Sequence, residues 1–134
     1  MIGKPSLVTT PRTRDWWAAA TRGELLLQSC TTCGHLQHYP RIMCAKCWSE
    51  SLEWVLAAGQ GTIWTFTVVH RPGHPGWDAD APYVIALVEL DEGPRLMTNI
   101  VGCRPESVHV GQRVTATTAV PADGSPVLIV FEPA

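Results

Sequence analysis

Charge is scarce in this chain of 134 residues: Asp, Glu, Lys and Arg together make up 16% of it, and the formal net charge is −2. Four metal-bound thiolates would make it more negative still. A grip on nucleic acid through bulk charge comes from neutralising phosphates, so this balance demotes that partner class. Lys and Arg are scattered, and no five-residue stretch holds three of them. Long apolar runs are also missing. The longest, Tyr83 to Val88, has six residues, against the roughly 20 that a membrane-crossing helix needs. Met1-Ile2-Gly3-Lys4-Pro5 leads into polar residues rather than a signal-peptide apolar core, so no membrane role and a cytoplasmic location are expected. No internal repeat or low-complexity tract is visible. Catalytic patterns are equally absent: no Ser/His/Asp order, no carboxylates paired on one helix face and no phosphate loop.

Apolar side chains are not scarce, at 46%, and with so little charge they argue for a packed domain rather than disorder. The length suits one ordinary domain or two small modules. Arg12 to Ala20 is rich in helix formers, with Gly23 as its stop. Trp16, Ala19 and Ala20 share one face of that helix, which turns an indole inward. Leu25-Leu26-Leu27 reads as a short strand. From Gly59 onward the texture is β. Five short runs are expected as strands: 62–69, 83–90, 96–101, 111–120 and 127–131, divided by Asp91-Glu92-Gly93-Pro94, Gly124-Ser125-Pro126 and similar breaks. Five strands in so few residues fit an OB-like barrel, with SH3-like or split-sandwich arrangements as alternatives. Alternation along Trp64, Phe66 and Val68 favours a core position for Trp64, and Trp54 is read the same way.

Between these parts, Cys30-Thr31-Thr32-Cys33-Gly34 precedes Cys44-Ala45-Lys46-Cys47-Trp48. The segment is too small to be held by a core of its own. Two C-x-x-C pairs offer four thiolates from two tight turns, the donor set of a structural zinc ribbon. Gly34 suits a turn that needs positive φ. Four protein ligands leave no open coordination position, so the metal is structural rather than catalytic. A redox dithiol is disfavoured by the second pair, whereas iron in the same cage is separated from zinc only by a spectrum. Cys103 reads as a semi-buried thiol, and His35, His38 and His109 as surface or knuckle-adjacent residues. The loop from His70 to Asp80 is rich in Gly and Pro. It makes Trp77 a candidate contact residue, with packing over the barrel mouth as the plain alternative. His70, Arg71 and Tyr83 stand at the strand ends beside it and are candidates for contact with a partner or with CoA; ordinary surface residues are the plainer reading of each alone.

The order Trp16-Trp17, Arg22-Gly23-Glu24-Leu25, Cys30-x-x-Cys33-Gly34, Pro40-Arg41, Cys44-x-x-Cys47, Leu52-Glu53-Trp54, Gly59 to His70 and Pro82 to Leu90 resembles a known family. It is the zinc-ribbon plus OB-fold family of acyl-CoA-associated proteins called domain of unknown function thirty-five. The resemblance covers about residues 12–120. It implies a mainly β protein with an N-terminal helical segment (1–28), a rubredoxin-like zinc ribbon (29–58) and a five-stranded OB barrel (59–134). One Zn2+ would be held by Cys30, Cys33, Cys44 and Cys47. It further implies a non-catalytic accessory subunit, inactive alone, that binds and stabilises a thiolase-fold enzyme acting on acyl-CoA thioesters. A retro-aldolase of steroid side-chain degradation is the foremost such partner, in a heterotetramer. Single-stranded nucleic-acid binding is the alternative, since ribbons and OB barrels both serve it. The second knuckle departs from the family pattern, with Ala45 where Pro and Trp48 where Gly is often found.

Overall fold

The computed structural model describes residues 4–120 and 126–134. Gly124 and Ser125 of the expected break lie outside the described residues. Helix α1 spans Arg14–Thr21. Its Asp15 stands in the first turn, where a carboxylate complements the helix dipole. Gly23, at φ +75°, closes the helix while the Glu24 N–H donates to the Ala19 carbonyl at 2.9 Å. Ala19 and Ala20 are fully buried and Trp16 is half-buried, as the shared face predicts.

Strands β1 (Leu26–Cys30), β2 (Leu36–Gln37) and β3 (Leu52–Leu56) form a small antiparallel sheet in the order β2-β1-β3. Leu27 of this ribbon packs into the same hydrophobic cluster as the barrel interior, and beside it the ribbon carries a buried polar network. Gln28 Oε1 accepts from the Gln37 amide and from the Arg41 N–H, each at 2.8 Å, and its own amide donates to the Arg41 carbonyl at 2.9 Å. Gln37 Oε1 accepts from the Ala45 N–H at 2.8 Å. A buried amide whose bonds are met fixes the chain around it, here the segment between β2 and the second cysteine pair.

β4 (Gln60–Val69), β5 (Tyr83–Leu90), β6 (Arg95–Ile100), β7 (Arg113–Ala119) and β8 (Leu128–Pro133) close a barrel in the order β4-β5-β6-β8-β7. Antiparallel β4–β7 pairing shuts it, and one parallel contact, Ile100 beside Phe131, joins β6 to β8. This is the OB-type barrel among the arrangements left open by the strand runs. Ile63, Val84, Val88, Val114 and Phe131 fill the interior.

Trp64 is not in that interior, contrary to the alternation. β4 pairs Ile63 with Val88 and then Thr65 with Leu87, so Trp64 is the extra residue of a β-bulge. A one-residue slip exchanges the faces of a strand. Ile63 therefore points inward before the bulge, while Phe66 and Val68 do so after it. Trp64 is 47% exposed, with the Arg95 guanidinium 3.9 Å over its ring. Trp54 is half-buried on β3, opposite Gln28, and so belongs to the ribbon sheet rather than to the barrel core.

Gly61 sits where β4 meets both β5 and β7. A Cβ there would lie 2.6 Å from Val88 Cγ1 and 2.7 Å from the Glu89 carbonyl oxygen. Because one of those atoms is backbone, Gly61→Ala is expected to destabilise by about 1–3 kcal/mol or more, read as a lower denaturant midpoint. An unchanged midpoint would contradict the barrel closure described.

Candidate metal centre and the face beside it

The two C-x-x-C turns are built alike. The Gly34 N–H donates to the Cys30 carbonyl at 2.8 Å and the Trp48 N–H to the Cys44 carbonyl at 2.9 Å. In the same way the Cys30 N–H reaches the His35 carbonyl and the Cys44 N–H the Ser49 carbonyl. Both turns need a left-handed residue after the second cysteine. Gly34 takes φ +78° and Trp48 takes φ +67°. So Trp48 keeps the knuckle geometry despite its side chain, in a conformation that costs an L-residue about 1–2 kcal/mol. It is 77% exposed and has little packing to lose. Trp48→Gly is therefore expected to stabilise the ribbon by roughly 0.5–1 kcal/mol, after the greater unfolded-state freedom of glycine is allowed for. Chelator resistance reads it, and a weaker hold on metal would contradict it.

These turns bring the Sγ atoms of Cys30, Cys33, Cys44 and Cys47 within 4.8 Å of one another. Cys30 and Cys47 sulfurs are 3.5 Å apart, and those of Cys33 and Cys44 are 3.6 Å apart. Disulfides need about 2.05 Å. A tetrahedral shell with metal–sulfur bonds of about 2.3 Å sets sulfurs about 3.8 Å apart, so the donor set fits one tetrahedral ion. The thiols also divide electrostatically. The Cys33 N–H, against an opposing desolvation, brings Cys30 down to about 6. Desolvation raises Cys44, but the Cys47 and Lys46 N–H groups and the Cys33 thiol outweigh it and leave it lowered. Although the Ser49 N–H lowers Cys47, desolvation and the other three thiols push it up to about 12. Four thiolates in this space repel one another unless a cation sits among them. Among the described residues this is the one group of three or more His, Cys, Asp or Glu side chains placed to hold an ion.

The other sequence candidates separate. Trp77, on a 3-10 turn over Pro75–Asp80, is half-buried against Tyr83, with ring centroids 5.1 Å apart. Lys4 Nζ lies 4.2 Å from the Trp77 ring and 3.0 Å from Asp80 Oδ2. His70 and Arg71 are exposed and join no cluster. Cys103 is half-buried, packed against the barrel core.

His38, expected at the surface or beside a knuckle, is half-buried. It is folded between Trp16 and Tyr39, with ring centroids 5.9 and 4.3 Å away, and burial pushes its pKa down to about 4. Trp17 meets Trp16 edge-on at 4.8 Å. These rings line a groove of about 260 Å³ between α1, the segment after β2, and strands β6 and β8. The Trp16 indole N–H is buried there without a hydrogen-bond partner among the described residues. Sequence reading missed this groove; its one local signal is the adjacent pair Trp16-Trp17, beside a His-Tyr-Pro run.

Residues 17–53 match the family described as the ChsH2 rubredoxin-like zinc ribbon domain, and residues 54–119 match the ChsH2 C-terminal OB-fold domain. A solved structure described as the "Ltp2-ChsH2(DUF35) aldolase" superposes on 95% of this chain and 98% of its own. The TM-score is 0.84 and the sequences are 38% identical. The chain belongs to the DUF35 family. Among curated relatives, a "Probable enoyl-CoA hydratase alpha subunit" of Thermomonospora curvata is 41% identical over 89% of this chain. The "3-oxo-4,17-pregnadiene-20-carboxyl-CoA hydratase alpha subunit" of Mycobacterium tuberculosis is 36% identical over 78% of this chain. This chain spans only 36% and 33% of the length of those two relatives. A "DUF35 domain-containing scaffold protein" of Methanocaldococcus jannaschii is 36% identical, over 77% of this chain and 73% of that protein. No helix of the described residues is long and apolar enough to cross a membrane.

Proposed function

We propose that this chain is a non-catalytic accessory subunit of an enzyme complex acting on acyl-CoA thioesters. The observation that carries the reading is the match along nearly the whole chain to the DUF35 component of a solved aldolase. The enoyl-CoA hydratase subunit name of one relative supports an acyl-CoA complex, and the scaffold name of another supports an accessory role. In this reading Cys30, Cys33, Cys44 and Cys47 hold one zinc ion. With four thiolates around it the metal has no open position for water, and it serves the fold. The chain supplies no reacting group; it positions and stabilises the enzyme that does.

The finer reading follows from the family resemblance. The partner is a thiolase-fold enzyme that cleaves a carbon–carbon bond of a steroid side-chain acyl-CoA, in a complex of two copies of each chain. The steroid-CoA name of the Mycobacterium relative supports the substrate class. Trp77 and Tyr83 are the contact candidates that the fold brings together, while His70 and Arg71 stand exposed on the same loop.

Affinity purification of the tagged chain from native lysate, with nuclease added, tests the reading. A thiolase-fold protein in stoichiometric amount is the expected result. Light scattering of that complex should give a heterotetramer, and a one-to-one heterodimer would overturn the stoichiometry. Binding that disappears with nuclease would favour the nucleic-acid alternative.

A further inference from the structure

Strand β5 is apolar on both of its faces from Tyr83 to Val88, and its outer face turns polar only at Glu89, which pairs with Arg95. Val84, Ala86, Val88 and Leu90 point into the barrel and are buried. The alternate residues Tyr83, Ile85 and Leu87 point outward, where a barrel strand facing water carries polar side chains. Their neighbour on β6 continues the pattern: Leu87 pairs with Met97, which is 59% exposed. A strand that reads as an unbroken apolar run is one covered on both sides. The barrel core covers the inner side of β5, and nothing among the described residues covers the outer side fully.

This outer face does not stop at the strands. A hollow of about 300 Å³ is lined by Trp77, Tyr83, Ile85 and Met97, and the aromatic groove of Trp16, Trp17, His38 and Tyr39 shares Met97, Thr98 and Asn99 with it. Among the described residues no Lys, Arg, Asp or Glu lines either one, and burial keeps His38 uncharged at neutral pH. The segment carrying Tyr39 is fixed from behind by the Gln28–Gln37 network, so the face is held ready rather than formed on contact. Next in sequence to the groove-lining Thr13 and Pro40, Arg12, Arg14 and Arg41 are exposed, and Asp15 is the acid among them. Asp15 lies 3.9 Å from Arg14, which leaves Arg12 and Arg41 without an ion pair among the described residues.

We propose that the outer face of β5 and β6, together with the aromatic groove beside α1, is the docking surface for the partner enzyme of the complex. The inference rests on the accessory-subunit reading and adds where the partner sits and what it presents. The partner contributes apolar side chains to the Met97 centre and carboxylates opposite Arg12 and Arg41. Nucleic acid is disfavoured here because, among the described residues, no Lys or Arg lines the face to follow a phosphate backbone, the arginines standing beside it rather than along it, although strands two and three are where OB folds bind oligonucleotides.

The test uses the full chain in the purified complex. p-Benzoylphenylalanine is placed at Met97, at Tyr39 and, as a control outside this face, at Val110, which is also exposed. Photolysis should join the partner at Met97 and Tyr39 and not at Val110. Met97→Glu should weaken partner binding at least tenfold, with zinc content and melting temperature unchanged, because the side chain it replaces is exposed. Arg12→Glu with Arg41→Glu should slow association and reduce its dependence on salt. Wild-type affinity in Met97→Glu, with cross-links from Val110 alone, would overturn the proposed face and leave the accessory reading standing. Absence of any partner in the purification would overturn both. Saturable quenching of tryptophan fluorescence by octanoyl-CoA in the isolated chain, lost in Met97→Glu, would assign the face to a small ligand and overturn the docking proposal.

Discussion

Removing the metal is expected to unfold the ribbon while leaving the barrel folded. The sheet β2-β1-β3 has few apolar residues fully buried, and its centre is the Gln28–Gln37 network. Such a segment depends on its cross-link: metal binding to four thiolates contributes on the order of 10 kcal/mol of apparent folding free energy. The barrel differs, because Ile63, Val88, Val114 and Phe131 belong to a core that does not include the four ligand cysteines. Cys44→Ser, at a fully buried ligand, should therefore abolish stoichiometric zinc and expose the Trp16–His38–Tyr39 stack, seen as a red shift of tryptophan emission. The β signal of the barrel should remain in circular dichroism. Bound metal should be one colourless zinc per chain; a red protein would assign iron instead. A metal-free chain that melts as the wild type does would contradict the account of the ribbon.

Acid is expected to weaken the fold through His38 before carboxylates titrate fully. Burial holds this imidazole at about 4, against 6.5 in the unfolded chain. A group whose folded pKa is depressed binds its proton more readily when unfolded. Its contribution is present above pH 6.5 and is lost as pH falls toward 4. The shift corresponds to about 3 kcal/mol when the loss is complete. His38→Gln, neutral throughout, should flatten the stability profile between pH 6.5 and 4, measured by denaturant midpoints at saturating zinc. Parallel profiles for the two proteins would contradict the buried position of the ring. Docking of a partner over the same groove would deepen the burial and make dissociation easier in acid.

What could be read from residues alone was whatever rests on local spacing. The cysteine pairs are local, and each turn is closed by bonds between neighbours, so their pattern reports the donor set directly. The helix face of Ala19 and Ala20 and the runs at 62–69 and 83–90 are legible for the same reason. Trp64 was misread because a bulge is set by pairing with β5, which alternation along β4 does not contain. The depth of His38 was not legible because it comes from α1, more than 15 residues away in sequence. The aromatic groove joins four separate segments, and no window of sequence holds them together. Tyr83 to Val88 gave the one early sign of the outer face, as a run too apolar for a strand covered on a single side.

Reconstitution tests the proposed accessory role most directly: the co-purified partner and this chain are prepared separately and assayed alone and together on the proposed acyl-CoA substrate. The account predicts no turnover by this chain, little by the partner alone, and recovery at one equivalent of this chain per partner chain. Turnover by the isolated chain, or a partner equally active and stable without it, would contradict the account.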